Sequence, residues 1–375
     1  MNHKSKSNLD YDLAQLQALA KERTVKTQNI EYDLETLIKK ISNNMIKLNP
    51  DYQRNHRWTD ITSSRLIESL ILNIPIPTVF LSQDVDVDDD VDEDVSRFSV
   101  IDGQQRLTAI HRFMSDGFPL VGLNVLEPLN GSYYRDLPPF LVRRLEERTI
   151  KCLRVDSTLD MQVKYDIFER LNTGAVQLES QELRNAIFRG PFNDMIKEMA
   201  KEPLILSIMN IDPNNASENG KVKKMDPEEL ILRFFSLYND GIANMKKSLK
   251  DFLSEQMQNF NDFPEKKLQE MREHFNLVLN TVTAEIHSKP FTKYIQNDNG
   301  KLERTPRFNY SVFDALAIGV SDNLLKGSLL ITEQGKEAFK ELFLADEFKS
   351  SISSSTTDKS KIEYRIAQVS KVFSK

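Results

Sequence analysis

Cysteine occurs once in the 375 residues, tryptophan once and histidine five times. A single thiol, Cys152, excludes an internal disulfide, and its neighbours Ile150, Leu153 and Val155 mark it as a small core residue in a strand. The histidines, at positions 3, 56, 111, 274 and 287, lack the close spacing of a zinc site. No apolar run approaches the ~20 residues that span a bilayer, which excludes a helical membrane protein. Met1 to Ser7 is basic but lacks the apolar segment and small-residue cleavage site of a signal peptide, so the expected compartment is the cytoplasm.

The chain has a small excess of acid, 56 acidic against 50 basic residues, for a net charge of -6. That figure comes from one place. Asp84 to Asp94 contains eight acidic residues and no basic one, and without it the remainder carries +2. A mildly basic remainder permits contact with nucleic acid phosphates without requiring it. The alternating aspartates Asp84, Asp86 and Asp88 suggest calcium, but no register supplies the glycine and the terminal acid of an EF-hand. Residues 84–96 are therefore read as a solvated insertion between two strands of one sheet.

What is present has two styles. The length suits two units of ~100 to 200 residues each. Helical spacing marks residues 9–25 and 34–41, and Met45 to Pro50 is extended. Thr59 or Asp60 can cap a helix running to Leu72, which Pro75 and Pro77 end. Thr78–Ser82 and Phe98–Ile101 are strand-like, Gln104–Ser115 is helical, and Leu120–Leu126 and Thr149–Val155 are further strand candidates. Met161 to Leu171 opens a mostly helical remainder, in which Leu268, Met271, Phe275, Val278 and Val282 form one buried stripe and Asp212–Lys224 is a polar loop.

Chemistry concentrates at Val100-Ile101-Asp102-Gly103-Gln104-Gln105-Arg106, a strand running through a tight turn into a helix start. Gly103 allows a ligand close to the backbone, the unpaired amides of a first helical turn favour an anion, and Arg106 can fork two hydrogen bonds to a phosphate. Asp102 is placed either to cap the helix or to organise a metal ion or water. The Lys-Ser/Thr ending of a P-loop is missing. Arg54 can reach a phosphate or pair with a carboxylate. Tyr52 can stack on a base, whereas Trp58 is read as core. Asn172, in the loop Asn172-Thr173-Gly174, can project into the site or simply end a helix. Glu182 and Arg184, two apart on a helix, must point at different partners.

With these residues in order, the chain resembles the N-terminal domain of the GmrSD type IV restriction endonucleases, in the ParB/sulfiredoxin superfamily. The resemblance rests on Tyr52-Gln53-Arg54 with Trp58, Ile74-Pro75-Ile76-Pro77, Ile101 to Leu107, and Phe168 to Gly174 with Glu182 and Arg184. It implies an α+β fold: a ParB/sulfiredoxin-like domain with a small mixed sheet over 30–190, preceded by a helical extension, 1–29, and followed by an α-helical domain, 191–375. It also implies nucleotide binding and hydrolysis at Asp102, Gln104, Gln105 and Arg106. Arg54, Gly103 and Asn172 would help hold phosphates, Tyr52 the base, and Asp102 a Mg²⁺ ion. The redox relatives use a cysteine in the corresponding turn, which is missing here.

The expected function is that of an NTP-binding and NTP-hydrolysing regulatory subunit of a modification-dependent restriction system for phage defence. Expected partners are a nucleotide, DNA including modified phage DNA, and a second copy of the chain. No His-Asn-His nuclease core is found downstream, so a separate nuclease subunit is expected as well. The alternatives are a non-catalytic sensor of nucleotide or modified DNA and, ranked below it, a metal-dependent DNA nuclease.

Overall fold

The computed structural model describes residues 27–48, 58–83, 97–155, 161–171, 178–239 and 241–375. The proposed helix at 9–25, the acidic run, and Tyr52, Arg54 and Asn172 lie outside the described residues. The chain divides into two compact units, residues 1–174 and 175–375.

The first unit is built on a five-stranded mixed sheet, with β1 Thr27–Asp33, β2 Ile46–Lys47, β3 Val79–Gln83, β4 Phe98–Asp102 and β5 Thr149–Val155 in the order β1-β5-β3-β4-β2. β1 runs antiparallel to β5 and β3 antiparallel to β4, whereas the β3–β5 and β2–β4 pairs are parallel. The strands on either side of the acidic insertion are thus direct neighbours, as the insertion reading requires. Helices α1 Leu34–Ser42, α2 Asp60–Ile71, α3 Gln104–Met114 and α4 Pro139–Glu146 supply Leu37, Ile67, Ile110 and Leu145 to a core shared with Val79, Leu81, Val100, Ile150 and Cys152 of the sheet. A fifth helix, α5 Met161–Leu171, packs against β4. Cys152 is buried in β5, and burial pushes its thiol up to about 11, against the pull of the Arg106 charge.

Local chemistry sets the boundaries. Thr59 caps α2 through its hydroxyl oxygen, which accepts from the Thr62 amide, and Asn73 at φ 62° turns the chain into the extended Ile-Pro-Ile-Pro segment. Two differences from the sequence reading stand out. β1 starts at Thr27, inside the expected helical extension 1–29, and runs on through residues to which the helical spacing assigned nothing. Leu120–Leu126 is not a strand, because four of its seven amides are taken by side chains of α2. Ser64 Oγ accepts from the Val121 amide, and the Glu68 carboxylate accepts from Val125 and Leu126 at 2.8 and 2.7 Å and from Asn124 at 3.4 Å. The Leu123 amide donates to Asn130 Oδ1 and the Leu120 amide to the Ser132 carbonyl, so most donors of a ladder are used, and Gly122 bends the segment at φ 65°.

The second unit is mostly helical, with α6 Ser180–Ile187, α7 Pro191–Met199, α8 Asp226–Leu237, α9 Leu249–Asn261 and the long α10 Glu265–Glu285. The stripe from Leu268 to Val282 is buried, as its spacing requires. Asp212–Lys224 is not a plain loop, since short helical turns form at Pro213–Glu218 and Gly220–Lys223, started by the Asp212 and Asn219 side chains. A two-stranded antiparallel ribbon, β6 Thr292–Gln296 and β7 Leu302–Phe308, interrupts the helices. Past it, Tyr310–Phe313 leads into a π-helical turn, Asp314–Ile318, and on to Leu325. α11 Lys359–Val372 packs on that turn.

Candidate functional site

The site begins with an irregularity in the sheet. Phe80 pairs with Asp102 but Leu81 pairs with Val100, so Ile101 is an extra residue on β4. Such a bulge bends the strand locally and re-aims the residues after it. Here it delivers Asp102 to the strand end. Gly103 follows at φ 95°, in the left-handed region, and becomes the N-cap of α3. Glycine is required twice over, because a Cβ here would also lie 2.9 Å from Val79 Cγ2.

Asp102 does not cap the helix. α3 has no side-chain N-cap bond among the described residues, and the Leu107 amide closes the first helical bond on the Gly103 carbonyl. The Asp102 carboxylate instead meets its neighbour one turn on: Arg106 Nη2 donates to Oδ2 at 2.8 Å. Asp102 Oδ1 carries no bond among the described residues. Arg106 also reaches sideways, Nη1 donating to the Pro77 carbonyl and Nη2 to that of Thr78 at 3.4 Å. The guanidinium is 11% exposed and the carboxylate 34%. Burial pulls the Arg106 pKa below its ordinary value, and Asp102 opposes that fall. The group stays a cation at neutral pH.

Gln105 Oε1 accepts from the Trp58 amide at 3.4 Å, which ties the first turn of α3 to the start of the segment leading into α2. Trp58 itself is half-buried against the core. Of the expected site residues, Asp102, Gly103, Gln104, Gln105 and Arg106 share this one turn, and no placement is described for Tyr52, Arg54 or Asn172. Glu182 and Arg184 do have different partners. Glu182 accepts from the Glu179 amide at 2.7 Å, and Arg184 pairs with Glu229 at 2.9 Å. Sequence reasoning missed Lys164, a buried cation on α5. Its signal was a lysine one turn before buried Phe168 on the apolar stripe of a helix.

Residues 34–189 match the family model described as GmrSD restriction endonuclease, N-terminal domain. This segment is a GmrSD-type N-terminal domain. The GmrSD match covers under half of the chain, includes the whole Asp102–Arg106 turn, and continues past the first unit through α6. It points to a part in a type IV restriction system. No curated protein and no solved structure matches the chain. Among the described residues, no helix is long and apolar enough to cross a membrane. No group of three or more His, Cys, Asp or Glu among them is placed to hold a metal ion.

Proposed function

We propose that the β4–α3 turn binds a nucleoside triphosphate and hydrolyses it, and that this turnover regulates DNA restriction, with cutting done by a separate His-Asn-His nuclease subunit. One observation carries the reading: an uncapped helix start, opened by a left-handed glycine, brings a partly exposed carboxylate and a guanidinium to the same turn. The positive end of a helix N-terminus and an arginine suit the β- and γ-phosphates. Phosphoryl transfer asks mainly for positioning and charge neutralisation.

The roles follow from residue type and from the family resemblance. The first-turn amides and Arg106 would hold phosphate, with Arg54 and Asn172 completing the cradle and Tyr52 stacking on the base. Gln104 or Gln105 would orient the attacking water. Asp102 would accept a proton from that water or hold Mg²⁺ through Oδ1. A single carboxylate oxygen fits Mg²⁺ carried in on the nucleotide, since that ion keeps most of its ligands as phosphate oxygens and water. Bound there, the ion would neutralise charge on the phosphate oxygens.

NTP turnover by wild type, Asp102→Ala and Arg106→Ala tests this site. The expected result is a fall of about 100-fold or more in both variants. Unchanged, non-trace hydrolysis in both removes the proposal. A second reading, a non-catalytic sensor of nucleotide or modified DNA, draws on the bonds from Arg106 to the Pro77 and Thr78 carbonyls. A guanidinium engaged in that way can report a ligand by letting go of the chain. Tight nucleotide binding without turnover under any divalent metal would select it.

A further inference from the structure

The ribbon β6–β7 and the chain packed on its base gather positive charge that the rest of the unit does not balance. Elsewhere in the unit some cations are paired, as in Lys197–Asp194, Arg272–Glu202 and Lys340–Glu337, and others, such as Lys201, Lys246 and Lys266, stand apart from one another in the sequence. Lys221, Lys289, Lys293, Lys301, Arg304 and Arg307 make no ion pair among the described residues. Five of them lie on the ribbon, in its turn or within three residues of it, and Lys221 reaches its base. The Lys221 ammonium lies 5.7 Å from the centre of the Phe308 ring, Asn210 Nδ2 donates to the Pro306 carbonyl at 3.0 Å, and Arg304 Nη1 donates to the Lys289 carbonyl. Two acids, Asp298 and Glu303, belong to the same ribbon, and Glu303 Oε1 accepts from Asn297 Nδ2 at 2.8 Å.

The ribbon end is pre-formed. Asn297 Oδ1 accepts from the Asn299 and Lys301 amides at 3.1 and 2.9 Å, the Asn297 amide donates to the Lys301 carbonyl at 2.9 Å, and Gly300 turns at φ 77°. A held tip costs little entropy on binding. Two-stranded ribbons fit the major groove of B-DNA, which is about 12 Å wide. Addition of another strand along β7 is opposed by Pro306, which has no amide to donate.

We propose that this ribbon, with Lys221 at its base, is a surface that grips double-stranded DNA through its phosphates. The proposal rests on the reading that the chain acts on DNA, and it is independent of nucleotide hydrolysis at the β4–α3 turn. Contacts of this kind position a protein on the duplex and carry no sequence information. Binding through them is governed by counterion release and so falls steeply with salt.

The test uses the full chain and a short labelled duplex, with fluorescence anisotropy from about 50 to 200 mM salt. Lys289→Ala/Lys301→Ala/Arg307→Ala removes three exposed cations whose side chains make no hydrogen bond among the described residues. Lys201→Ala/Lys246→Ala/Lys266→Ala removes the same charge from exposed positions elsewhere in the unit. The ribbon variant is expected to bind about 10-fold or more weakly and to lose about 0.9 from the salt slope for each phosphate contact removed. The control variant should keep the wild-type slope, and both should keep wild-type NTP turnover. Equal affinity and slope in ribbon variant and wild type would overturn the surface. So would an equal loss in the control, or a preference for RNA or an acidic protein over the duplex. Absence of duplex binding by wild type would remove the DNA reading itself, with NTP turnover left to judge the β4–α3 site separately.

Discussion

Arg106 Nη2 lies 2.8 Å from Asp102 Oδ2, so the two charged residues of the β4–α3 turn are partners across Gly103. The same guanidinium bonds the Pro77 and Thr78 carbonyls, at the end of the Ile-Pro-Ile-Pro segment just before β3. One side chain therefore joins three stretches of chain at the mouth of the candidate site. A phosphate arriving there would compete for donors already in use. Ligand binding and local order would thereby be coupled.

Arg106→Ala should cost stability as well as binding. It leaves two backbone carbonyls and one carboxylate without their donor, worth about 1 to 3 kcal/mol where such groups are shielded from water. Arg106→Lys should recover the Asp102 contact but not the fork to Pro77 and Thr78. Urea unfolding followed by the fluorescence of Trp58, the sole tryptophan and part of the first unit, reads both variants. A midpoint unchanged in Arg106→Ala would show that the strap does not contribute.

Gly103→Ala should fail for two separable reasons. The left-handed backbone costs an alanine about 1 to 2 kcal/mol, and its Cβ would press on Val79 Cγ2. Val79→Ala in the same chain would relieve the contact and leave the backbone cost. The double variant should therefore lose less than the two single losses added together. Strict additivity in a double-mutant cycle would mean that the turn shifts instead of clashing.

The site turn was legible because its residue types are local signals: an apolar strand, a glycine, then a helical run with an arginine in its first turn. The strap was not, because nothing in Pro77 or Thr78 announces a carbonyl waiting for a guanidinium 29 residues away. Leu120–Leu126 misled for a related reason. Its apolar spacing is that of a strand, but four of its amides bond to Ser64 and Glu68, some 57 residues earlier. The β6–β7 ribbon hid in a helical half because its strands are short, although Asn297 to Gly300 is a turn signature between them. Side-chain capture of backbone groups across long sequence separations is what single-sequence patterns omit.

Glu68 gives the first unit a pH dependence with a defined sign. Burial works to raise its pKa, but the amides of Leu126, Val125 and Asn124 outweigh it and hold the carboxyl below its ordinary value of 4.5. A carboxyl depressed in the folded state binds its proton more weakly there than in the unfolded chain. It therefore stabilises the fold above the unfolded pKa, and the contribution fades as pH falls through the folded value. Glu68→Gln should be destabilised by about 1 to 3 kcal/mol at neutral pH, and its difference from wild type should shrink on acidification below that range. Unfolding midpoints at several pH values check this, and a difference that grew in acid would contradict the sign.

Asp314 holds the second unit at its most buried ionic point. Its side chain is 0% exposed, Arg233 meets it with two parallel bonds of 2.6 and 2.7 Å, and Arg365 donates to Oδ2 from α11. The aspartate opens the π-helical turn, so one carboxylate joins α8, that turn and α11. Arg365 also donates to the Ser351 and Thr356 carbonyls at 2.8 and 2.7 Å, which fixes the loop before its helix. Two cations facing one anion make this cluster intolerant of neutralisation. Asp314→Asn keeps the shape but leaves both guanidinium groups without a counter-charge in an interior that cannot solvate them. Breaking a buried pair in this way costs about 3 to 5 kcal/mol. Far-UV circular dichroism through thermal unfolding should show the loss, since helices dominate this unit. Exposed pairs such as Lys349–Asp346 should by contrast be worth under about 1 kcal/mol. If Asp346→Asn and Asp314→Asn lowered the transition equally, burial would not be what gives the triad its weight.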